Sequence, residues 1–229
     1  MAWLEFVAAF AAFFLTHAIP ARPAVRGRLV ATVGRTAFLI GYSLISLALL
    51  AWLIGAAGRA PFVPLWPYAS WQRWAPNLAL PVACVIAALA VGAPNPLSFG
   101  GARPEAFDPD RPGIAGLTRH PLLLALALWA LAHLIPNGDL AHSLMFGLFG
   151  AFALAGMAII DRRRRRILGE AEWRRLARRT GLWPLAARLR GDAPGPWPGA
   201  WRRRLLAGLL IYGLLFLAHP FVIGVWPGP

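Results

Sequence analysis

Six long apolar runs constrain this chain more than any other feature: Ala2 to Ile19, Thr36 to Ala57, Asn77 to Gly92, Pro121 to Ile135, Ser143 to Ile160 and Leu205 to Val225. A helix needs ~20 apolar residues to cross a bilayer, and these runs come close to that or reach it. Hydrophobic residues make up 59% of the 229, more than a soluble core of this size can bury. Lipid offers backbone groups no hydrogen-bond partner, so a spanning segment must be a helix or part of a closed barrel. The runs lack the alternation of barrel strands. The expected fold is therefore all-α, a polytopic bundle of about six transmembrane helices forming one domain, with an appended basic segment at 161–203.

The formal charge of +14 would suit a nucleic-acid binder if it were spread over one face, but its placement indicates topology instead. Arg22, Arg26, Arg28 and Arg35 lie between the first two runs, and Arg103, Arg111 and Arg119 between the third and fourth. More than a dozen arginines follow the fifth, while the other side carries only Arg59 and Arg73. The positive-inside rule then puts both termini in the periplasm and the first, third and fifth loops in the cytoplasm, with no nucleic-acid partner. All 23 basic residues are arginine, a composition that suits a bacterial inner membrane. The start MAWLEFVAAF has neither the basic region nor the cleavage site of a signal peptide, so the first helix is expected to remain. Cys84 is the lone cysteine, which excludes an intrachain disulfide and reads as a small buried hydrophobe.

Three connections stand out. In PFVPLWPYASWQRWAP, Trp66, Tyr68, Trp71 and Trp74 suit an aromatic belt at the outer headgroups. The stretch from Ala93 to Pro121 is long and rich in proline and glycine, as expected of a cytoplasmic lid or binding loop. Beyond Asp161, Ile167, Leu168, Trp173, Leu176 and Ala177 form an apolar stripe among arginines, as expected of a helix lying on the membrane against anionic lipids. PGPWPGAW then breaks structure before the last run.

Ionisable groups within or beside the spans are the candidates for chemistry. His17 closes the first run, His120 opens the fourth, and His133 lies toward its far end. His142 opens the fifth run, and His219 lies late in the sixth. Neutral imidazole is tolerated in lipid and can ligate iron. Arg119 and His120 read either as interface anchors or as a grip on an anionic cofactor. Asn137, Gly138 and Asp139 suit a tight turn, and Asp161 with Arg162 reads as a local ion pair or as a clamp on an anionic group. Gly147, Gly150 and Gly156 would allow close helix approach.

The segment GLTRHPLLLALALWALAHLIPNGD, the early helix ending in His17 and the later Asp161-Arg162-Arg163 together resemble the NnrU family of bacterial membrane proteins, over essentially the whole chain. The resemblance implies a link to denitrification, through nitrite and nitric oxide reductases. It also implies a domain shared with the plant zeta-carotene isomerase, a haem b membrane enzyme. The R-H-P start and the following tryptophan and histidine of that isomerase fall on Arg119, His120, Pro121, Trp129 and His133. Its haem ligands carry over onto His17 and His133, and one of its cysteines falls on Ala130. The resemblance thus implies haem b, a site drawn from His17, Arg119, His120, His133, Asn137, Asp161 and Arg162, and a hydrophobic isoprenoid as substrate. Depth along the helices instead groups His17 with His120 at one end, and His133 with His142 or His219 at the other.

Arg119-His120-Pro121 followed by LGEAEWRRLARRTGLWPL also resembles membrane methyltransferases and sterol reductases, which implies a cytoplasm-facing enzyme with a nucleotide-like cofactor. A non-catalytic assembly or transport factor is the third alternative.

Overall fold

The computed structural model describes residues 1–20, 22–189, 191 and 200–229, with only the backbone of Arg188. Most of PGPWPGAW lies outside the described residues. Within them the chain forms α1 (Ala2–Ala18), α2 (Pro23–Val33), α3 (Arg35–Arg59), α4 (Trp74–Ala90), α5 (Pro121–Leu134), α6 (Leu140–Leu168), α7 (Glu170–Ala177), a single turn α8 (Ala186–Leu189) and α9 (Trp201–Val222). The six apolar runs thus became α1, α3, α4, α5, α6 and α9, and the fold is all-α. One isolated β-bridge, Pro64 with Asp139, occurs among the described residues.

Four segments are long and apolar enough to cross a membrane: Arg35–Arg59, Ser70–Ala90, Leu140–Leu168 and Trp201–Val222. The bent pair of α1 and α2 makes a fifth if taken as one span. This is the pattern of a multi-pass membrane protein. At 14 residues α5 is about 21 Å long, shorter than a ~30 Å hydrocarbon layer.

The chain divides into two units, Met1–Pro67 with Gly138–Met145, and Tyr68–Asn137 with Phe146–Pro229. In the first, α1 and α3 run antiparallel, with Phe6, Ala9, Leu53, Ala56 and Ala57 buried. Glu5 near the start of α1 accepts hydrogen bonds from Arg59 (2.5 Å) and Trp52 (3.3 Å) near the end of α3. The Asn137–Asp139 turn has a specific partner here. The Gly138 carbonyl accepts from the backbone N–H groups of Leu65 and Trp66, and a Cβ at Gly138 would lie 2.4 Å from the Trp66 carbonyl oxygen.

The second unit is an antiparallel bundle of α4, α5, α9 and most of α6. Its core joins Ala83 and Ile86 of α4, Leu123 and Ala127 of α5, and Ala153 and Met157 of α6. Gly208 lets α9 approach α4, because a Cβ there would lie 2.6 Å from the Val85 Cα. Gly150 and Gly156 admit Leu131 and Leu123 of α5 in the same way, whereas among the described residues nothing lies within 4 Å of a Cβ at Gly147. Gly208→Val should therefore cost about 1–3 kcal/mol through overpacking against backbone. Gly147→Ala should be neutral or stabilise by up to ~1 kcal/mol through helix propensity. Equilibrium unfolding in mixed micelles measures both.

At the arginine-rich end of this unit one expectation is corrected, that of the apolar stripe. The connection from Ala93 to Pro121 carries ordered turns and part of the core. It makes 3-10 turns at Pro104–Ala106 and Gly113–Gly116 and buries Asn95, Leu97, Ser98, Phe107, Ile114 and Ala115. The basic segment does not lie on the membrane along its stripe. Helix α6 continues straight through Arg162–Leu168 and ends at Gly169, whose φ of +78° favours a residue without Cβ. Helix α7 then folds back, and Leu168, Trp173, Leu176 and Ala177 pack on Leu97, Phe107 and Ala115. Ile167, the remaining member of the stripe, points to the exterior at 62% exposure. Apolar surface on the proline-rich connection supplied a nearer partner than the bilayer.

Candidate functional site

Apart from Gln72, the buried polar side chains of the second unit gather at that same end, around Arg119 and His120. The sequence places them there by simple means: Pro121 at the first helical position starts α5, so the two preceding side chains stand where its N-terminus meets the end of α6. His120 is fully buried and Arg119 is 6% exposed, so neither is an interface anchor. Arg119 Nη1 donates to Asp161 Oδ2, and Arg119 Nε donates to the Thr180 hydroxyl at 2.9 Å. His120 Nε2 meets Asp161 Oδ1 at 3.3 Å, and its Nδ1 meets the Ser98 hydroxyl at 3.0 Å. With the imidazole proton on Nε2, facing the carboxylate, Nδ1 accepts from Ser98.

Asp161 therefore pairs across the fold, with Arg119 and His120, and the expected pair with Arg162 is not formed; Arg162 is exposed. Both carboxylate oxygens are used, as a charge in a poorly hydrated place requires. The Arg119 guanidinium also lies 4.7 Å from the centre of the Trp173 ring, which Arg165 approaches at 4.3 Å. Such cation–π contacts tie α7 to the network. The Trp173 indole N–H is buried without a hydrogen-bond partner among the described residues.

Backbone bonds lock the arrangement. Leu117–Arg119 runs beside Gly181–Leu185: Arg119 N–H donates to Gly181 O at 2.7 Å, the Thr118 hydroxyl to Leu182 O at 3.0 Å, and Leu185 N–H to Leu117 O at 2.9 Å. The Asn95 amide donates to the Arg119 carbonyl at 3.1 Å. Ser98, Asn95, Thr118, Thr180 and Trp173 were not singled out from sequence as site residues. The available signal was a pair of short Thr-containing segments, LTRHP and RTGLWP, and no periodicity marks two such segments as partners.

The remaining histidines differ from His120. His17 Nδ1–H donates to the Phe13 carbonyl at 2.6 Å, its ring stacks on Phe13 with centroids 4.1 Å apart, and Tyr42 approaches its edge. His133 Nδ1–H donates to the Trp129 carbonyl at 2.8 Å, and its ring lies between Trp129 and Phe146. In each case Nε2 has no hydrogen-bond partner among the described residues and keeps its lone pair. His219 shares the pattern, with Nδ1–H donating to the Val225 carbonyl at 2.7 Å. His142 is bound to Asp139, its Nδ1 at 2.8 Å from Oδ2, while Oδ1 of Asp139 accepts from the His142 backbone N–H near the start of α6. Asn137 donates to the His133 carbonyl at 2.7 Å and so serves the end of α5. No three His, Cys, Asp or Glu side chains gather in metal-binding fashion among the described residues.

The NnrU protein family model matches residues 5–227, so the chain belongs to that family. Comparison with curated proteins and comparison with solved structures return no match.

Proposed function

We propose, with membership of the NnrU family as the premise, that this multi-pass membrane protein binds haem b, for which Nε2 of His17 in the first unit and Nε2 of His133 in the second are each a candidate ligand. It would work in redox chemistry tied to denitrification or on an isoprenoid double bond. One observation carries the reading. Both imidazoles spend Nδ1–H on a backbone carbonyl one helical turn earlier and leave Nε2 as a lone pair. That carbonyl bond is the usual outer partner of a metal-bound histidine: it fixes the tautomer and the ring orientation. A macrocycle brings four nitrogens of its own, so one or two such histidines suffice where no three protein donors meet.

Haem would supply one-electron redox chemistry at a site from which apolar helices exclude water. The residues of the chain hold the rings in place: the Phe13 and Trp129 carbonyls orient the imidazoles, and Phe13, Tyr42 and Phe146 restrict their rotation. His120 is not a ligand in this reading, because both its nitrogens are engaged. The same reasoning weighs against a cofactor gripped by Arg119, whose guanidinium is committed to Asp161, Thr180 and Trp173.

Titrating haem-free protein with haemin in detergent tests the proposal. A Soret band that grows and saturates near one haem per chain is expected. A response no larger than that of empty micelles overturns it.

A further inference from the structure

A cleft of about 560 Å³ opens at the arginine-rich end of the second unit, and haem ligation makes no use of it. Arg103, Arg111 and Arg204 line it together with Phe107, Ile114 and Trp201. The three cations are not equivalent. Arg111 Nε donates to Asp108 at 2.8 Å, and that bond holds the Asp108 carboxyl below the usual carboxylate range, so the pair contributes little net charge. Arg204 Nη1 donates to the carbonyls of Leu89 and Val91 at 3.0 and 2.8 Å, which caps the end of α4. Its Nη2 and Nε have no partner among the described residues. Arg103 has none either, although it adopts a left-handed φ of +50°, which a side-chain-bearing residue rarely takes. Among the described residues, an Arg103 guanidinium without a partner, an Arg204 guanidinium with two nitrogens left over from capping α4, and an apolar wall therefore share one concavity.

Its position indicates the source of a ligand. Trp201 begins α9, which is long and apolar enough to cross a membrane, and Arg204 lies in its first turns. A tryptophan and arginines at the start of a span belong at headgroup depth. Beyond them Leu206, Leu209 and Leu210 are exposed, an apolar flank continuous with the start of α9. We propose that the cleft seats the phosphate headgroup of an anionic phospholipid from the surrounding bilayer, with Arg103 and Arg204 as its partners.

Native mass spectrometry of the full-length protein, titrated with phosphatidylglycerol or phosphatidylcholine, tests this. Phosphatidylglycerol is expected to bind several-fold more tightly. Arg103→Asn should weaken it about fivefold, as loss of one charge near a membrane surface implies, without lowering thermal stability, because asparagine tolerates the left-handed backbone. Arg166→Gln, which removes an exposed arginine outside the cleft, should leave the affinity unchanged. The proposal is overturned if phosphatidylcholine binds equally well, if Arg103→Asn binds like the wild type, or if Arg166→Gln loses as much. Complete displacement of lipid by millimolar inorganic phosphate would also overturn it, in favour of a site for free anions.

Discussion

Asp161→Ala should destabilise the protein by about 3–5 kcal/mol, the loss that follows removal of one partner from a buried ion pair. The reason is the uncompensated charge left behind. Arg119 is 6% exposed and would lose the carboxylate that balances its charge, while fully buried His120 would lose its acceptor. Unfolding in mixed micelles followed by far-ultraviolet circular dichroism measures the loss. The double variant Arg119→Ala with Asp161→Ala should lose less than the two singles summed, because removing both charges avoids the worst outcome of each. Glu172→Ala sets the scale for an exposed pair. Its partner Arg175 lies one turn away at 2.7 Å on the surface, and the change should cost less than ~1 kcal/mol. Equal losses at Asp161 and Glu172 would contradict the view that Asp161 anchors the arginine-rich end.

The second large effect concerns ligation. His17→Ala and His133→Ala should each reduce haem retained through purification at least tenfold, or leave it with an altered absorption spectrum. His120→Ala should retain the wild-type spectrum while lowering stability, since it removes a buried side chain and strands Ser98 and Asp161. His219→Ala separates the family's assignment from the alternative grouping by depth. If it abolishes binding and His17→Ala does not, the iron is held by His133 and His219.

Helix positions were legible in the sequence because lipid imposes a simple rule. Every backbone polar group must be satisfied inside its own segment, so Thr36 to Ala57 could become only a helix, and it became α3. The connections obey no such rule. The stripe of Leu168, Trp173, Leu176 and Ala177 has the spacing of a membrane-surface helix, and periodicity cannot tell a bilayer from a protein surface. Leu97 and Phe107, some 70 residues earlier in the chain, were the true partners. Asp161 shows the same limit. Arg162 is its neighbour in sequence, but on a helix adjacent residues point in different directions, and the far Arg119 took the carboxylate. Arg119, His120 and Asp161 were each visible as costly polar groups beside apolar runs. Their union required knowing that α5 and α6 run antiparallel and that α7 folds back over them.

The candidate residues therefore fall into two groups with different chemistry. The Arg119, His120 and Asp161 network is saturated with internal partners and holds the arginine-rich end together. His17 and His133 carry unpaired Nε2 atoms, the feature that ligation needs.

The reduced-minus-oxidised absorption spectrum of the purified protein, produced with ample haem supply, tests the haem reading most directly. A Soret band that shifts on adding dithionite, with the visible bands of a b-type haem, is the predicted result. Haem-replete production that yields protein without a Soret band would contradict it.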